Sequence, residues 1–312
     1  MGKVAFIFPG QGAQYVGMAK EISERSKAAS LVMDEATEAL GFDVRKMLFE
    51  SDDATLMITE NTQPSILTAS VACTQPLFEA GIKPDYTAGL SLGEYAAHVL
   101  SGSLSFKDAV QLVRKRGKYM QDAVPVGEGA MAAILGLSRE DVVEICQIAS
   151  LTGLVEPANF NCPGQIVIAG KTVAVNEAVR LATEKGAKRA MLLNVSAPFH
   201  CSLLKPAGEK LSKELENVDL KPMTIPVITN VTGKVVASEE EIKDLLVKQV
   251  SSSVLWEDCV ATLLDKGVDT FIEIGPGKVL SGFIKKINKG ARVLNVEDNA
   301  SLEQTLAALG QQ

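Results

Sequence analysis

The run Gly89-Leu90-Ser91-Leu92-Gly93 is the feature that most constrains how this chain folds. Residues 85–90 before it are typical of a short buried strand, and residues 92–101 are typical of a helix. A G-x-S-x-G sequence between a strand and a helix is the nucleophile-elbow pattern, in which the glycines permit a tight turn and the serine stands at a helix N-terminus. We therefore expect an α/β sheet that presents Ser91 as a nucleophile. A plain glycine-rich turn is the alternative interpretation.

Two histidines, His98 and His200, are the only ones that could activate this serine. His98 lies seven residues further along the same predicted helix, or roughly 10 Å away at about 1.5 Å per residue. A general base must approach its serine to roughly 2.6–3.2 Å. We therefore assign His200 as the base and expect His98 to be a packing or surface residue. A hydrogen-bonded structural role is the alternative for His200.

Charge and cysteine content argue against several other classes of protein. A net charge of −7 disfavours general nucleic-acid binding, which needs a basic surface. The five cysteines are irregularly spaced without a C-x-x-C pair, so we expect reduced thiols with no disulfide framework and no metal site. Residues 4–8 are apolar but too short for a signal-peptide core or a membrane span, and no later segment approaches one. We expect a cytoplasmic protein that does not contact a membrane.

The order of predicted elements indicates two folding units in the 312 residues. Residues 130–194 follow the order β-α-β-β-α-β, which is the ferredoxin-like arrangement. The flanking segments alternate strands and helices, as in a parallel sheet with helices on both faces. We predict a large hydrolase-like α/β catalytic domain formed by residues 1–124 and 196–312. A ferredoxin-like α+β subdomain is inserted between them at residues 125–195.

Local signals predict three element boundaries. Pro64 suits a first helical turn and predicts a helix over Pro64–Ala80. Ser238 and Glu241 have capping-box spacing ahead of a further helix. The segment His200–Leu215 is also predicted to be helical.

Six motifs occur in an order that resembles the malonyl-CoA:acyl-carrier-protein transacylase family of bacterial fatty-acid synthesis. They are Phe8–Gln14, Gly89–Tyr95, Arg116–Gln121, Asn159–Gln165, Pro198–His200 and Glu273–Gly277. The resemblance covers essentially the whole chain. It implies transfer of a malonyl group from malonyl-CoA to the phosphopantetheine thiol of an acyl carrier protein. No bound cofactor is implied, because malonyl-CoA is a substrate and the partner protein carries the phosphopantetheine.

The resemblance also implies a role for each matching residue. Ser91 would be the acylated nucleophile, and His200 its general base and later the acid that protonates the leaving thiolate. The backbone N–H groups of Gln11 and Leu92 would form the oxyanion hole. Arg116 would bind the malonyl carboxylate, because a guanidinium presents two parallel donors that match it.

Three further positions concern the base and the acyl pocket. By resemblance, the backbone carbonyl of Gln249 would orient the base in place of the acidic member of a triad. From the residues alone, an acidic partner such as Glu94 or Asp122 stays open. Phe199 would favour malonyl over branched acyl groups, and its alternative is a core aromatic. Many family members have histidine before the nucleophile where this chain has Leu90, which makes the elbow more apolar.

Three alternatives to the implied function stay open. A serine esterase or thioesterase would use the same elbow but gives no reason for Arg116. A non-enzymatic carrier-binding module would not need a nucleophile, a base and an oxyanion loop together. A stand-alone acyltransferase of a polyketide synthase is not separated from fatty-acid synthesis by the sequence.

Acyl carrier proteins are usually acidic, so we expect docking on a local basic patch. Lys285 and Lys289 have the spacing to share one face of a helix, with Lys286 beside them and Arg292 beyond. An ordinary solvated face is the alternative.

Overall fold

The computed structural model describes residues 2–195 and 197–310. Within these ranges nine strands form two separate sheets, and fourteen α-helices surround them. The strands are β1 (Lys3–Phe8), β2 (Tyr86–Gly89), β3 (Gly129–Leu135), β4 (Val155–Cys162), β5 (Gln165–Lys171), β6 (Arg189–Leu192), β7 (Val227–Ile228), β8 (Val268–Ile274) and β9 (Arg292–Val296). The helices are α1 (Lys20–Arg25), α2 (Lys27–Leu40), α3 (Val44–Glu50), α4 (Asp53–Met57), α5 (Thr59–Glu79), α6 (Gly93–Ser101), α7 (Phe106–Asp122), α8 (Arg139–Ala149), α9 (Thr172–Glu184), α10 (Lys205–Glu216), α11 (Ile242–Val250), α12 (Trp256–Asp265), α13 (Val279–Ile287) and α14 (Asn299–Ala308).

The larger sheet is parallel throughout and has the strand order β7-β2-β1-β8-β9. Its inner strands β1 and β8 are buried along most of their length because helices cover both faces of the sheet. Phe8, the last residue of β1, lies opposite Gly89, the last residue of β2. The loop with Gln11 and the elbow with Ser91 therefore emerge side by side at the carboxyl edge of the sheet, where ligand sites of α/β folds form. The predicted α/β fold class is confirmed.

The smaller sheet is antiparallel, with the strand order β4-β5-β3-β6. Alternate residues such as Ile134 and Ile168 pack under α8 and α9. Residues of the opposite face, Met131 and Val167, join the core of the larger sheet's helices. The element order agrees with the predicted ferredoxin-like arrangement, while the exact domain boundaries at residues 125 and 195 stay a prediction.

Helix α5 runs through the core and begins at Thr59, so the prediction that it starts at Pro64 was wrong. Pro64 lacks the N–H for one helical hydrogen bond, but nearly every side chain over residues 59–77 is buried. Two buried hydroxyls bond within the helix: Thr68 donates to the Pro64 carbonyl at 2.7 Å and Thr74 to the Ser70 carbonyl at 2.9 Å. Packing on all sides outweighs the backbone bonds lost at Pro64 and at Pro76 further along the helix.

The segment after His200 is not one helix as predicted. His200 itself has a left-handed backbone with φ of 60° and lies in a turn. Residues 202–204 form a 3₁₀ turn, and α10 begins only at Lys205. The left-handed residue cannot continue an α-helix, so it directs the histidine side chain from a turn.

Two other local predictions were also wrong. The capping box of Ser238 and Glu241 does not form, because the Ser238 carbonyl accepts from the Glu241 N–H in a 3₁₀ turn that precedes α11. Lys289 lies outside α13, since the Asn288 side chain accepts from the Gly290 N–H and ends the helix. Lys285 and Lys286 are exposed on α13, and Lys286 donates to Gln165 Oε1 at 2.9 Å.

No helix in the described ranges combines the length and the apolar composition needed to cross a membrane.

Candidate active site

A cavity of about 710 Å³ lies at the carboxyl ends of β1 and β2. Residues of the smaller sheet, among them Met131 and Val167, form its opposite wall. Six of the seven site residues predicted from the sequence line it: Gln11, Ser91, Leu92, Arg116, Phe199 and His200. The seventh, Gln249, lies behind the wall and reaches the others by hydrogen bonds.

The elbow requires glycine on both sides of Ser91. A Cβ on Gly89 would lie 1.9 Å from the Gly93 carbonyl carbon, and one on Gly93 would lie 2.2 Å from the Phe8 carbonyl oxygen. Ser91 adopts φ of 54°, a left-handed conformation that is costly for a residue with a side chain. This turn exposes the serine hydroxyl to the cavity at the start of α6.

The hydrogen bonds around Ser91 fix the direction of proton transfer. Ser91 Oγ lies 2.6 Å from His200 Nε2, and Arg116 donates to the same Oγ at 3.0 Å. The Gln249 backbone carbonyl beside His200 Nδ1 can only accept, so the proton of the neutral imidazole is on Nδ1, and Nε2 accepts from the serine hydroxyl. His200 Nδ1 donates to the Gln249 backbone carbonyl at 2.9 Å. His200 is therefore the tautomer that a general base needs, with an unprotonated Nε2 facing the nucleophile.

Burial and, to a smaller extent, the positive charge of Arg116 together lower the pKa of His200 to about 3, although the hydrogen bond to the Gln249 carbonyl acts in the opposite direction. The histidine is thus neutral and able to accept a proton at neutral pH. Neither Glu94 nor Asp122 hydrogen-bonds to His200. His98 is fully buried at the far end of α6, where its Nδ1 contacts Ser103 Oγ, in agreement with the expected packing role.

Arg116 is a buried cation, 1% exposed, that makes no ion pair in the described part of the chain. It donates to Gln63 Oε1 at 2.8 Å and to Gln249 Oε1 at 3.0 Å, and it lies 5.5 Å from the centre of the Tyr95 ring. Burial lowers the pKa of this guanidinium. A desolvated cation with neutral partners is unfavourable by itself and favours binding of an anion.

The candidate oxyanion donors stand on either side of the nucleophile. Leu92 immediately precedes α6, and Gln11 follows Gly10, where a Cβ would lie 2.6 Å from the Leu90 carbonyl oxygen. Within residues 2–195 and 197–310, the N–H groups of Gln11 and Leu92 form no hydrogen bond. Two free backbone donors beside a nucleophile are the arrangement that stabilises a tetrahedral oxyanion.

Sequence reasoning missed the two amides that hold this site from behind. Asn230 Oδ1 accepts from the Ser91 N–H at 2.6 Å, and its Nδ2 donates to the Gly89 carbonyl at 2.7 Å. Gln63 holds the Arg116 guanidinium. No spacing in the sequence signals the contact of Asn230 with Ser91, because the two residues are 139 positions apart.

Phe199 is 8% exposed and lines the cavity directly before the base. Two carboxamides of the Asn159–Gln165 motif, Asn159 and Asn161, line it from β4. No group of three or more His, Cys, Asp or Glu side chains in the described part of the chain is arranged to hold a metal ion.

Comparison with known proteins agrees with this geometry. Residues 5–304 match the family model described as the acyl transferase domain. A malonyl CoA-acyl carrier protein transacylase of Bacillus subtilis (strain 168) is 49% identical over 310 residues, which cover 99% of this chain and 98% of that protein. The chain belongs to the malonyl CoA-acyl carrier protein transacylase family.

Solved structures of this transacylase family have the same fold. The transacylase of Clostridium perfringens superposes with a TM-score of 0.96 at 48% identity, covering 99% of this chain and 97% of that one. A malonyl-transacylase in complex with its type II PKS acyl-carrier protein has a TM-score of 0.95 at 41% identity, covering 98% of this chain and 99% of that one. The resemblance stated from the six motifs is thereby confirmed.

Proposed function

We propose that the protein transfers a malonyl group from malonyl-CoA to the phosphopantetheine thiol of an acyl carrier protein through a malonyl ester on Ser91. Membership of the transacylase family supports this activity. The single observation that carries it in the structure is Arg116, a buried cation that touches the nucleophile and forms no ion pair with any residue the structure describes. An acyl group that ends in a carboxylate provides the missing anion, and a simple ester does not.

In the first half-reaction, Ser91 Oγ attacks the thioester carbonyl and its proton passes to His200 Nε2. The oxyanion that forms accepts hydrogen bonds from the N–H groups of Gln11 and Leu92. The imidazolium then protonates the sulfur of CoA, which leaves as a thiol. A malonyl ester of Ser91 remains, with its carboxylate held by Arg116.

The second half-reaction repeats these steps with the carrier protein. The phosphopantetheine thiol gives its proton to His200, and its sulfur attacks the ester carbonyl. Ser91 Oγ recovers the proton as the malonyl thioester leaves. The two steps share one site and one enzyme intermediate, so the kinetics are expected to be ping-pong.

The test measures the products formed from malonyl-CoA with and without holo-carrier protein. A transacylase forms malonyl-carrier protein and releases little free malonate. Release of malonate at the same rate in both reactions would instead identify a thioesterase. Absence of both products would favour the non-enzymatic carrier-binding alternative. Ser91→Ala is the matched control and should form neither product.

For the pathway, our primary proposal is that the protein supplies malonyl groups to fatty-acid synthesis. The similarity to a malonyl-transacylase bound to a type II PKS acyl-carrier protein favours polyketide supply as a second candidate. Comparing kcat/KM for a fatty-acid carrier and a polyketide carrier separates the two. The expected compartment is the cytoplasm, because the five cysteines are free thiols.

A further inference from the structure

Glu94 is a fully buried carboxylate three residues after Ser91, and the steps described above do not use it. Its Oε2 accepts from Gln249 Nε2 at 2.7 Å and from the backbone N–H of Asn230 at 2.9 Å. Its Oε1 has no hydrogen-bond partner among the described residues, and His98 Nε2 lies 3.9 Å away. A buried carboxylate that is only partly satisfied costs stability, so a gain elsewhere must offset that cost.

The two residues that Glu94 holds are the same two that hold the backbone of the strained serine. Asn230 binds the Ser91 N–H and the Gly89 carbonyl, and Gln249 Nε2 donates to the Ser91 carbonyl at 3.0 Å. One oxygen of Glu94 thus supports both amides that clamp the elbow. Strain at a nucleophile persists only where surrounding contacts over-determine it.

Glu94 and the Ser91 carbonyl together decide which end of the Gln249 carboxamide faces Arg116. A carboxylate can only accept and a guanidinium can only donate. The NH₂ group of Gln249 must therefore face Glu94, and its Oε1 must face Arg116, where it accepts at 3.0 Å. The backbone carbonyl of Gln249 simultaneously accepts from His200 Nδ1. Movement of Gln249 would therefore disturb the carboxylate receptor and the base together.

We propose that Glu94 is a positioning residue of the acyl-transfer site, which acts through the Gln249 side chain to hold Arg116 and Ser91 in the geometry that selects a malonyl group. The inference rests on the proposed function for its substrate and on the hydrogen bonds above for its mechanism.

The experiment is a double-mutant cycle of E94Q and Q249M. Both substitutions keep the volume nearly constant, and Q249M keeps the backbone carbonyl that His200 needs. The readout is the ratio of kcat/KM for malonyl-CoA to kcat/KM for acetyl-CoA, since a merely structural loss lowers both values equally. Each single variant should lower this ratio roughly tenfold or more, because small displacements in a site cost up to about 10²-fold. The double variant should be no worse than the more affected single variant.

E273Q is the matched control. Glu273 is also fully buried, and it accepts from the N–H groups of Leu280 at 3.0 Å and Ser281 at 2.7 Å, neither of which bonds to Gln249 among the described residues. The fold-changes that E273Q and Q249M cause in this ratio of kcat/KM values should therefore multiply in the double variant. An unchanged ratio in E94Q, or independent effects of E94Q and Q249M, would overturn the proposal. If E94Q does not fold, an unchanged ratio in Q249M alone would overturn it.

A second readout separates this proposal from the proposed function. Phenylmethylsulfonyl fluoride reacts with an activated serine and needs no carboxylate receptor. If the reagent labels Ser91 but the protein transfers no malonyl group, the proposed function fails. The double-mutant cycle of E94Q and Q249M is then scored on the labelling rate. Slower labelling in both single variants without further loss in the double variant supports the role of Glu94. Labelling at the wild-type rate in E94Q contradicts it.

Discussion

The two walls of the cavity are built in different ways. The wall at the carboxyl edge of the parallel sheet is polar, and its side chains hold one another: Ser91, His200, Arg116 and Gln249 form one hydrogen-bonded network. The wall from the smaller sheet presents Met131 and Val167 together with two carboxamides, Asn159 and Asn161, whose side chains bond to no described residue. The first wall has the fixed dipoles that stabilise developing charge, and the second leaves polar groups free to bind a ligand in the cavity. Substitutions in the first should change the reactivity of the serine or the recognition of the acyl group, whereas substitutions in the second should change acyl preference without changing the reactivity of the serine.

The largest effect is expected at the base. His200→Ala should slow formation of the acyl-enzyme by roughly 10²–10⁴-fold, the usual contribution of a general base. Rapid-quench measurement of acyl-enzyme formation from malonyl-CoA checks this, with thermal unfolding as the control for folding. A loss of only a few-fold would mean that His200 is a structural histidine.

Arg116→Ala should lose malonyl transfer and gain relative tolerance for acetyl-CoA. Truncating one partner of a buried charge pair typically costs about 2–5 kcal/mol, so kcat/KM for malonyl-CoA should fall at least about 30-fold. Arg116→Lys is the matched variant, because it keeps the charge and loses the two parallel donors, and it should be intermediate. An unchanged malonyl-to-acetyl ratio in Arg116→Ala would show that this residue does not bind the carboxylate.

A smaller, graded effect is expected from the pocket. Phe199→Ala should raise the rate with methylmalonyl-CoA relative to malonyl-CoA by no more than about 10–200-fold, because a methylene in an apolar pocket is worth roughly 1–3 kcal/mol. Val167→Ala on the opposite wall should change acyl preference without changing the labelling rate with phenylmethylsulfonyl fluoride. If Val167→Ala lost as much labelling as Phe199→Ala, the distinction between the two walls would not hold.

The smallest change concerns pH. Since burial lowers the pKa of His200 to about 3, the base stays unprotonated as the pH falls from 8 to 6. The value of kcat/KM for malonyl-CoA, which reports ionisation of the free enzyme, should therefore stay level over that range. An acidic limb with an apparent pKa near 6.5 would show that His200 titrates like an exposed histidine.

The first wall contains both residues whose roles could be predicted from the sequence and residues whose roles could not. The elbow could be predicted because a Cβ does not fit at position 89 or 93. Both positions must therefore be glycine, and this produces a pattern that is visible in the local sequence. Selection of His200 followed from helix geometry. The supports at Glu94 and Asn230 could not be predicted, because their contacts depend on how β7 is placed beside β2. Likewise, the start of α5 depends on burial that Pro64 alone does not reveal.

The most direct test of the account is the mass of the intact protein after brief exposure to malonyl-CoA without carrier protein. We predict a mass increase of one malonyl group, located at Ser91 by peptide mapping, absent in Ser91→Ala and removed on addition of holo-carrier protein. An equal adduct in Ser91→Ala, or an adduct at another residue, would contradict the assignment of the nucleophile and with it the proposed mechanism.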